Sequence, residues 1–284
     1  MKERTGEINF TKMHSCGNDY IYINCFEHEI ASPETLAIKL SDRHFSVGGD
    51  GIILIMRSEL ADAKMRIFNI DGSEGKMCGN GIRCVAKYLY DNGLVEKTDM
   101  TIETLSGVRK LHLTVENGLM SVAKVDMGPA ELRPELIPVN LPGESIVDMQ
   151  VEIGGGIYPI TCVCMGNPHA VVFCKNVSEL PLSEIGPRFE RDSLFPERVN
   201  AEFVEVISEK HLKMRVWERG SGITLGCGSG ACAAAVAAVL NGYCKKGEDI
   251  KVSVPGGEVI VNYTDEAVYL TGDSIKAFDG TVGI

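Results

Sequence analysis

Two short motifs, each a cysteine followed by a glycine, could carry acid–base chemistry. Cys78 begins the sequence CGNG, and Cys227 begins CGSG 149 positions later (227 − 78). Each cysteine is predicted to lie at the start of a helix, where main-chain N–H groups and the helix dipole stabilise an anion and can lower a thiol pKa from about 8.5 to between roughly 3.5 and 7.5. A thiolate at neutral pH is therefore feasible at each motif.

A pair of such thiols is suited to inverting a carbon atom that carries an acidic proton. One deprotonated group removes the proton from one face, and a protonated group of similar pKa delivers a proton to the opposite face. The N–H groups beside each cysteine can also bind a carboxylate and stabilise the carbanion that forms next to it. We therefore predict that Cys78 and Cys227 are the catalytic residues of an epimerisation that needs neither a metal nor another cofactor.

The alternative interpretation is that both are buried cysteines left over from a duplication. The chain has ten cysteines, and because it is long and lacks an export signal we expect them to be reduced. None forms a C-x-x-C pair, so a structural zinc site is not predicted. Cys25 and Cys174 show the same spacing as the motif cysteines but lack the glycines, and we expect them to be packing residues.

The same shift of 149 residues relates other parts of the chain. It matches Gly17-Asn18 to Gly166-Asn167 and Asn92-Gly93 to Asn241-Gly242. A constant shift without gaps indicates duplication of one unit. We predict two equivalent lobes, residues 1–127 and 128–284, connected through a proline-rich stretch, with residues 274–284 as a candidate to return to the first lobe.

Each lobe is predicted to be an α/β (α+β) unit in which a barrel-like sheet wraps around one helix. Short runs of branched and aromatic residues indicate the strands. The helices are expected at 79–91 and 228–240, each followed by the Asn-Gly stop signal. The second helix, GSGACAAAVAAVL, is apolar on every face and therefore needs burial on all sides.

The charge and hydropathy pattern excludes two classes of partner. The chain has 28 Lys and Arg against 39 Asp and Glu, a formal charge of -11, which does not suit a nucleic-acid binder. No apolar run is long enough to span a bilayer, and the first residues do not form a signal peptide. We expect a cytoplasmic protein whose partner is a small molecule.

Seven motifs along the chain give a more specific indication. They are HSCGNDY (14–20), RIFNIDGSE (66–74), MCGNGIRC (77–84), MGNPHAVVF (165–173), FPERVNAEF (195–203), VWERGSG (216–222) and GCGSGAC (226–232). Together they resemble the diaminopimelate epimerase family over nearly the whole chain. The resemblance implies an isomerase that interconverts LL- and meso-diaminopimelate in lysine and peptidoglycan biosynthesis, with its active site in a cleft between two lobes. It implies an amino-acid substrate and no cofactor, with a homodimer as one option for assembly.

The resemblance also implies roles for the residues around the two cysteines. The main-chain amides of Gly79, Asn80, Gly228 and Ser229 would bind the carboxylate of the reacting centre. Residues that would recognise the substrate, chiefly its distal end, are Asn18, Asn69, Asn167, Asn200, Glu218 and Arg219. Arg219 could bind a carboxylate through two hydrogen bonds, and Glu218 could accept from an ammonium group. Gly51 stands where some members of the family carry glutamine, and His169 has a weaker case as a functional residue.

Two other functions remain open from the sequence. One is a proline or hydroxyproline racemase-like enzyme of the same architecture, although a cyclic substrate has no distal zwitterion for Glu218 and Arg219 to bind. The other is a non-catalytic amino-acid-binding protein, which would exchange no proton with its ligand.

Overall fold

A computed structural model describes residues 6–283, and these form two compact units. The first unit comprises residues 6–125 and 272–283, and the second comprises residues 126–271. The elements along the chain are β1 (Glu7–Ser15), β2 (Asn18–Asn24), α1 (Pro33–Ser41), β3 (Gly51–Met56), β4 (Ala63–Asn69), β5 (Glu74–Gly75), α2 (Gly79–Asp91), β6 (Asp99–Thr104), β7 (Gly107–Glu116), β8 (Leu119–Asp126), β9 (Met149–Ile153), β10 (Gly156–Cys164), β11 (Pro168–Phe173), a 3₁₀ turn (Val177–Glu179), α3 (Leu182–Glu190), β12 (Asn200–Ser208), β13 (His211–Glu218), β14 (Gly222–Ile223), α4 (Gly228–Leu240), β15 (Asp249–Val254), β16 (Gly257–Tyr263), β17 (Val268–Asp273) and β18 (Ile275–Gly283).

The first unit is a mostly antiparallel sheet with the strand order β18-β1-β2-β3-β4-β6-β7-β8. The pairs β2–β3 and β4–β6 are parallel, and the short β5 adds to β4. The last strand of the chain, β18, lies antiparallel to β1, with Ile8 opposite Val282. The first unit is therefore assembled from both ends of the described chain.

The second unit repeats this topology in the order β9-β10-β11-β12-β13-β15-β16-β17. Its parallel pairs are β11–β12 and β13–β15, and the short β14 adds to β13. The register is also repeated, since Ala170 lies opposite Ala201 in the second unit and Ile21 lies opposite Ile52 in the first. Both pairs of positions are related by the shift of 149 residues.

Each unit places one helix against the inner face of its sheet. Helix α4 contacts β10, β11, β12, β13, β15 and β16, and every residue from Ala231 to Ala238 is fully buried. Its small side chains let strands approach from all sides. Helix α2 contacts β1, β2 and β6 and buries its first two turns.

The predicted fold class and both helices are confirmed. The structure is mixed α/β with large sheets and few helices, and α2 and α4 have the predicted bounds. Each helix ends at Asn-Gly with the glycine in the left-handed region, at a φ of 67° for Gly93 and 75° for Gly242. Within residues 6–283 no helix has the length and apolar character that a membrane span requires.

Candidate active site

Cys78 is the N-cap residue of α2, with an extended backbone at φ -139° and ψ 117°. Its Sγ accepts the main-chain N–H of Gly81 at 3.3 Å, and its S–H donates to Asn18 Oδ1 at 3.5 Å. Asn18 lies at the start of β2, so the unit's sheet and its central helix each supply one residue of this cluster. The structure thus brings two of the predicted site residues together in the first unit.

Asn80 joins the same cluster from the first turn of α2. Its Nδ2 donates to Asn18 Oδ1 at 3.4 Å, and Asn18 Nδ2 donates to Asp50 Oδ2 at 2.7 Å. The first main-chain helical bond runs from Ile82 N–H to Cys78 O, so Gly79 and Asn80 present their amides at the helix terminus. This is the location predicted for binding a carboxylate.

Cys227 occupies the equivalent position in the second unit, as the N-cap residue of α4. Its Sγ accepts the N–H of Gly230 at 3.4 Å and lies 3.5 Å from Ser229 Oγ. Its S–H faces the carboxylate of Glu218, which also accepts a hydrogen bond from Thr224. Gly228 and Ser229 precede the first main-chain helical bond, which joins Ala231 N–H to Cys227 O.

The expectation of a lowered thiol pKa at the helix terminus is wrong for Cys227, because other effects outweigh that of the terminus. Burial raises the pKa of this thiol well above its usual value, and the nearby carboxylates of Glu218 and Glu202 raise it further. Hydrogen bonds from Ser229 and from the Gly230 N–H act in the opposite direction but are weaker. The thiol form of Cys227 is therefore favoured in this structure.

Glu218 is itself affected by its surroundings at the end of β13. Burial raises its pKa above the usual value for a glutamic acid, although hydrogen bonds from Thr224 and Cys227 partly offset this. Desolvation therefore favours the neutral form of both the thiol and the carboxyl group, and the two are adjacent.

A buried polar network lies next to Cys227. His169 and Glu202 are both fully buried, and His169 Nδ1 lies 2.7 Å from Glu202 Oε1. The other ring nitrogen, Nε2, lies 2.9 Å from Asn167 Oδ1. Through this contact His169 orients the side chain of Asn167, one of the predicted substrate-binding residues.

Asn200 and Arg219 form a separate cluster in the second unit. Asn200 Nδ2 donates to Pro168 O at 2.9 Å, and Asn200 Oδ1 accepts the main-chain N–H of Arg219 at 2.9 Å. The Arg219 guanidinium donates to the carbonyl of Glu197 at 2.9 Å. Arg219 would have to release this carbonyl, or use its remaining N–H groups, to bind a carboxylate.

Asn69 and Gly51 face each other across the β3–β4 pair. The Asn69 side chain donates to Ser73 Oγ at 3.0 Å in the turn that follows β4. At Gly51 a Cβ atom would lie 2.1 Å from the carbonyl oxygen of Phe68, so this backbone accepts only glycine. A glutamine could be accommodated here only with a different main-chain conformation.

Two residues that the sequence interpretation did not single out belong to these clusters. Glu202 lies on β12 at an inward position, where its carboxylate contacts both His169 and the first turn of α4. Arg83 lies on α2 and bonds to the first turn of that helix. A charged residue in an element predicted to be buried was a signal that could have identified either one.

One cavity of the first unit lies at the opposite end of α2 from Cys78. It has a volume of about 870 Å³, and its lining includes Tyr88 and Asn92 at the C-terminal end of that helix. None of the predicted site residues lines it. Among residues 6–283, moreover, no group of three or more His, Cys, Asp or Glu side chains could hold a metal ion.

Comparison with known proteins decides the family. The sequence profile described as diaminopimelate epimerase matches residues 10–133 and 161–277, which include both Cys-Gly motifs. The chain belongs to the diaminopimelate epimerase family. The resemblance noted from the motifs is thereby confirmed.

Members of the diaminopimelate epimerase family from distant organisms match nearly end to end. The protein from Acetivibrio thermocellus is 53% identical over 279 residues, covering 98% of this chain and 99% of its own. Those from Desulfovibrio desulfuricans and Methanococcus maripaludis are 51% and 47% identical, covering 96% and 98% of this chain and 97% and 100% of their own. All three are named diaminopimelate epimerase.

Solved structures show that the fold extends beyond the diaminopimelate epimerase family. A hydroxyproline epimerase from Agrobacterium vitis superposes with a TM-score of 0.74 at 16% identity, covering 100% of this chain and 94% of its own. A PhzF-family phenazine biosynthesis protein from Bacillus anthracis gives 0.71 at 18% identity, covering 98% of this chain and 100% of its own. At such identities the likeness shows the two-lobed fold alone.

Proposed function

We propose that this protein is a diaminopimelate epimerase, an isomerase that interconverts LL- and meso-diaminopimelate with Cys78 and Cys227 as its two acid–base residues. The observation that supports this most strongly is the duplicated helix cap. In each unit a cysteine caps the central helix, its Sγ accepts an N–H from the first turn, and two further amides precede the helical bonds. Family membership supplies the substrate class.

The proposed reaction exchanges one proton at the α-carbon. A thiolate on one face removes the α-proton, and the electron pair of the broken C–H bond delocalises into the neighbouring carboxylate. Amide groups of a helix N-terminus stabilise that charge where it develops. The thiol on the other face then protonates the carbon, so one cysteine ends protonated and the other ionised.

The two cysteines are suited to different starting roles. Because burial and two carboxylates favour the neutral thiol at Cys227, we assign this residue as the proton donor in the substrate-free protein. Cys78 then acts as the base that removes the α-proton when Cys227 is the donor, and as the acid when the reaction runs in reverse. The cytoplasm is the proposed setting, where all ten free cysteines would stay reduced.

Substrate recognition is proposed to use the residues around each cap. Gly79, Asn80, Gly228 and Ser229 would bind the reacting carboxylate. The distal amino-acid end would be held by side chains on the adjoining strands, namely Asn18, Asn69, Asn167, Asn200, Glu218 and Arg219. A zwitterionic end needs both a cationic and an anionic partner, which Arg219 and Glu218 supply.

Alanine substitution tests the acid–base assignment. We expect Cys78→Ala and Cys227→Ala each to lower epimerisation of LL-diaminopimelate by about 10²- to 10⁴-fold, because each removes one proton-transfer group. Cys25→Ala and Cys174→Ala are matched controls, since they form the other cysteine pair related by the shift of 149, and both should keep activity within about threefold. Turnover that persists in either motif variant would exclude the two-cysteine mechanism.

Isotope exchange tests the reaction class. In deuterated water the wild-type protein should incorporate deuterium at the α-carbon of diaminopimelate, whereas a protein that only binds amino acids would incorporate none. Proline and 4-hydroxyproline serve as comparison substrates. Activity on these and none on diaminopimelate would replace the substrate assignment.

A further inference from the structure

Arg83 is a charged residue in the core of the first unit. It lies on α2, one turn after Cys78, and its side chain is fully buried. The shift of 149 residues places Cys232 at the equivalent position of α4, so the charge belongs to only one of the two helices. A buried charge is expensive unless its hydrogen bonds are made.

The acceptors of Arg83 all lie at the first turn of α2 or beside it. Its Nη1 donates to the carbonyl of Gly79 at 2.8 Å, and its Nη2 donates to Asn80 Oδ1 at 2.9 Å and to the hydroxyl of Ser15. These acceptors are a carbonyl, a carboxamide and a hydroxyl, which are all neutral. None of these acceptors neutralises the guanidinium, so its positive charge acts on the segment that follows Cys78.

A directed chain of hydrogen bonds begins at Arg83. The guanidinium can only donate, so Asn80 must present its Oδ1 to it and its Nδ2 to Asn18. Asn18 in turn accepts at Oδ1 and donates Nδ2 to the carboxylate of Asp50, which can only accept when ionised. A cation at one end and an anion at the other thus fix the orientation of both amides, and Asn18 Oδ1 lies 3.5 Å from Cys78 Sγ.

We propose that Arg83 is a positioning residue for the first half of the active site. It fixes Asn80, and through Asn80 it fixes Asn18, so that Cys78 and the amides of Gly79 and Asn80 are ordered before substrate arrives. It also supplies a permanent positive charge behind the helix terminus that receives an anionic carboxylate. The catalytic consequence rests on the proposed function, whereas the effect on the Cys78 thiol does not.

Other titratable groups surround this arginine. Cys16 lies in the β1–β2 turn, Cys84 follows Arg83 on α2, and Asp273 is the last residue of β17. Tyr22, on β2, lies beside Cys84 and Cys78. Burial raises the pKa of Cys16 and of Cys84, Arg83 opposes the increase in both, and the negative charge of Asp273 adds to it. Asp50 lies at the far end of the amide chain. The positive charge of Arg83 is therefore partly offset by Asp273, and its field acts mainly over short distances.

Two substitutions distinguish the effect of the positive charge of Arg83 from the effect of its several hydrogen bonds. Arg83→Lys keeps the charge but cannot reach three acceptors with the same geometry, whereas Arg83→Met removes both. The readouts are the alkylation rates of Cys78 and Cys227 with iodoacetamide at pH 8, followed by peptide mass spectrometry, together with kcat and KM for LL-diaminopimelate. Lys87→Met is the control, since Lys87 lies one turn further along α2 and bonds to Met120 O and Asp91.

The proposal predicts a specific pattern. Arg83→Met should slow alkylation of Cys78 by about fivefold or more, because a nearby positive charge favours the thiolate, and it should leave Cys227 within about twofold. Arg83→Lys should keep the Cys78 rate within about threefold but lower kcat about tenfold, the effect of losing one charge-assisted hydrogen bond. Lys87→Met should leave the alkylation rates of both Cys78 and Cys227 unchanged, even if it lowers the melting temperature.

Two results would overturn the role of Arg83. One is an Arg83→Lys protein with kcat and KM within twofold of wild type. The other is a parallel slowing of both cysteines in Arg83→Met, which would indicate general loosening. If Arg83→Met fails to fold, the Lys variant decides alone. Failure of wild-type protein to act on diaminopimelate would instead reject the proposed function, and alkylation would still test the arginine.

Discussion

At the scale of single residues, the two capping cysteines have opposite electrostatic neighbours. The first helix carries Arg83 behind its first turn, while Cys227 lies beside the carboxylates of Glu218 and Glu202. The two units share the same cap, and the residues at equivalent positions around it differ. Cys227, whose thiol is held neutral, is suited to donating a proton. Cys78, whose helix carries a fixed cation, is suited to accepting one.

Removing the carboxylate of Glu218 should make Cys227 easier to ionise. This carboxylate is the second cause, after burial, of the raised pKa of Cys227. In Glu218→Gln we expect alkylation of Cys227 at pH 8 to become roughly three- to tenfold faster, a shift of up to about one pKa unit. Alkylation at a series of pH values with peptide mapping measures this change.

The control for this experiment is Glu184→Gln, which removes the same charge from the exposed face of α3. Its Cys227 should react at the wild-type rate. An unchanged Cys227 rate in Glu218→Gln would show that burial alone raises the thiol pKa.

The sequence grouped the candidate site residues better than it predicted their electrostatics. Cys78, Asn18 and Asn80 could be grouped from their motifs, but the pKa of Cys227 could not be predicted, because Glu202 is 25 residues away along the chain (227 − 202) and approaches only when β12 packs against α4. Local rules about helix termini consider one element at a time. Desolvation depends on everything that covers the residue.

At the scale of elements, the first turn of each central helix is closely packed. A Cβ at Gly230 would lie 2.7 Å from Glu202 Oε1 and 3.3 Å from Cys227 Sγ, and one at Gly81 would lie 2.6 Å from Ile53 Cδ1. A side chain at either position would have to move a neighbouring side-chain end, that of Glu202 or of Ile53. The glycine-rich motif thus reflects packing as well as access for a ligand.

Gly230→Ala should therefore disable the second cap without unfolding the protein. The new methyl group must displace Glu202 or Cys227, and we expect epimerisation to fall by about tenfold or more, as a misplacement of about 1 Å can cost up to 10²-fold. Steady-state kinetics together with thermal unfolding measure the two effects.

Ala234→Gly, one turn further along α4, is the matched control. It should lower the free energy of unfolding by about 1 kcal/mol and keep activity near wild type. Equal kinetic losses in both variants would mean that helix stability, and not the position of the cap, sets the rate.

The sequence predicted the two central helices well because their signals are local. A cysteine followed by glycine begins α2 and α4, and Asn-Gly ends each of them. It did not single out α1 or α3, which lack such signals. The strand order could not be obtained in the same way. The pairing of β4 with β6, for example, skips β5 and α2, and depends on how the sheet closes around the helix.

At the scale of the whole molecule, stability should fall at alkaline pH because several thiols are buried. Burial raises the pKa of Cys162 to about 12, and of Cys25, Cys174 and Cys244 to about 11. A raised pKa in the folded state means that the native protein keeps its proton while the unfolded chain loses it above about pH 8.5. Stability is therefore complete below that pH and declines as the pH approaches the folded-state values.

Cys162 gives a direct measure of this effect. Between pH 8 and pH 10.5 its contribution to the free energy of unfolding should decrease by about 2 kcal/mol. Urea unfolding of Cys162→Ala should show a correspondingly smaller loss over the same interval. Val163→Ala truncates the next buried residue on β10, and its free energy of unfolding should decrease over this interval as much as that of wild type. Identical decreases in all three proteins would contradict the assignment to Cys162.

The first unit takes its edge strand from the far end of the chain. In the second unit the equivalent strand, β9, comes directly before its neighbour β10, whereas in the first unit β18 follows β1 by more than 250 residues. During synthesis β1 is therefore made long before the strand that covers its edge. The unit that is begun first must wait for the last described strand, and until β18 pairs with β1 that open edge is available to another nascent chain.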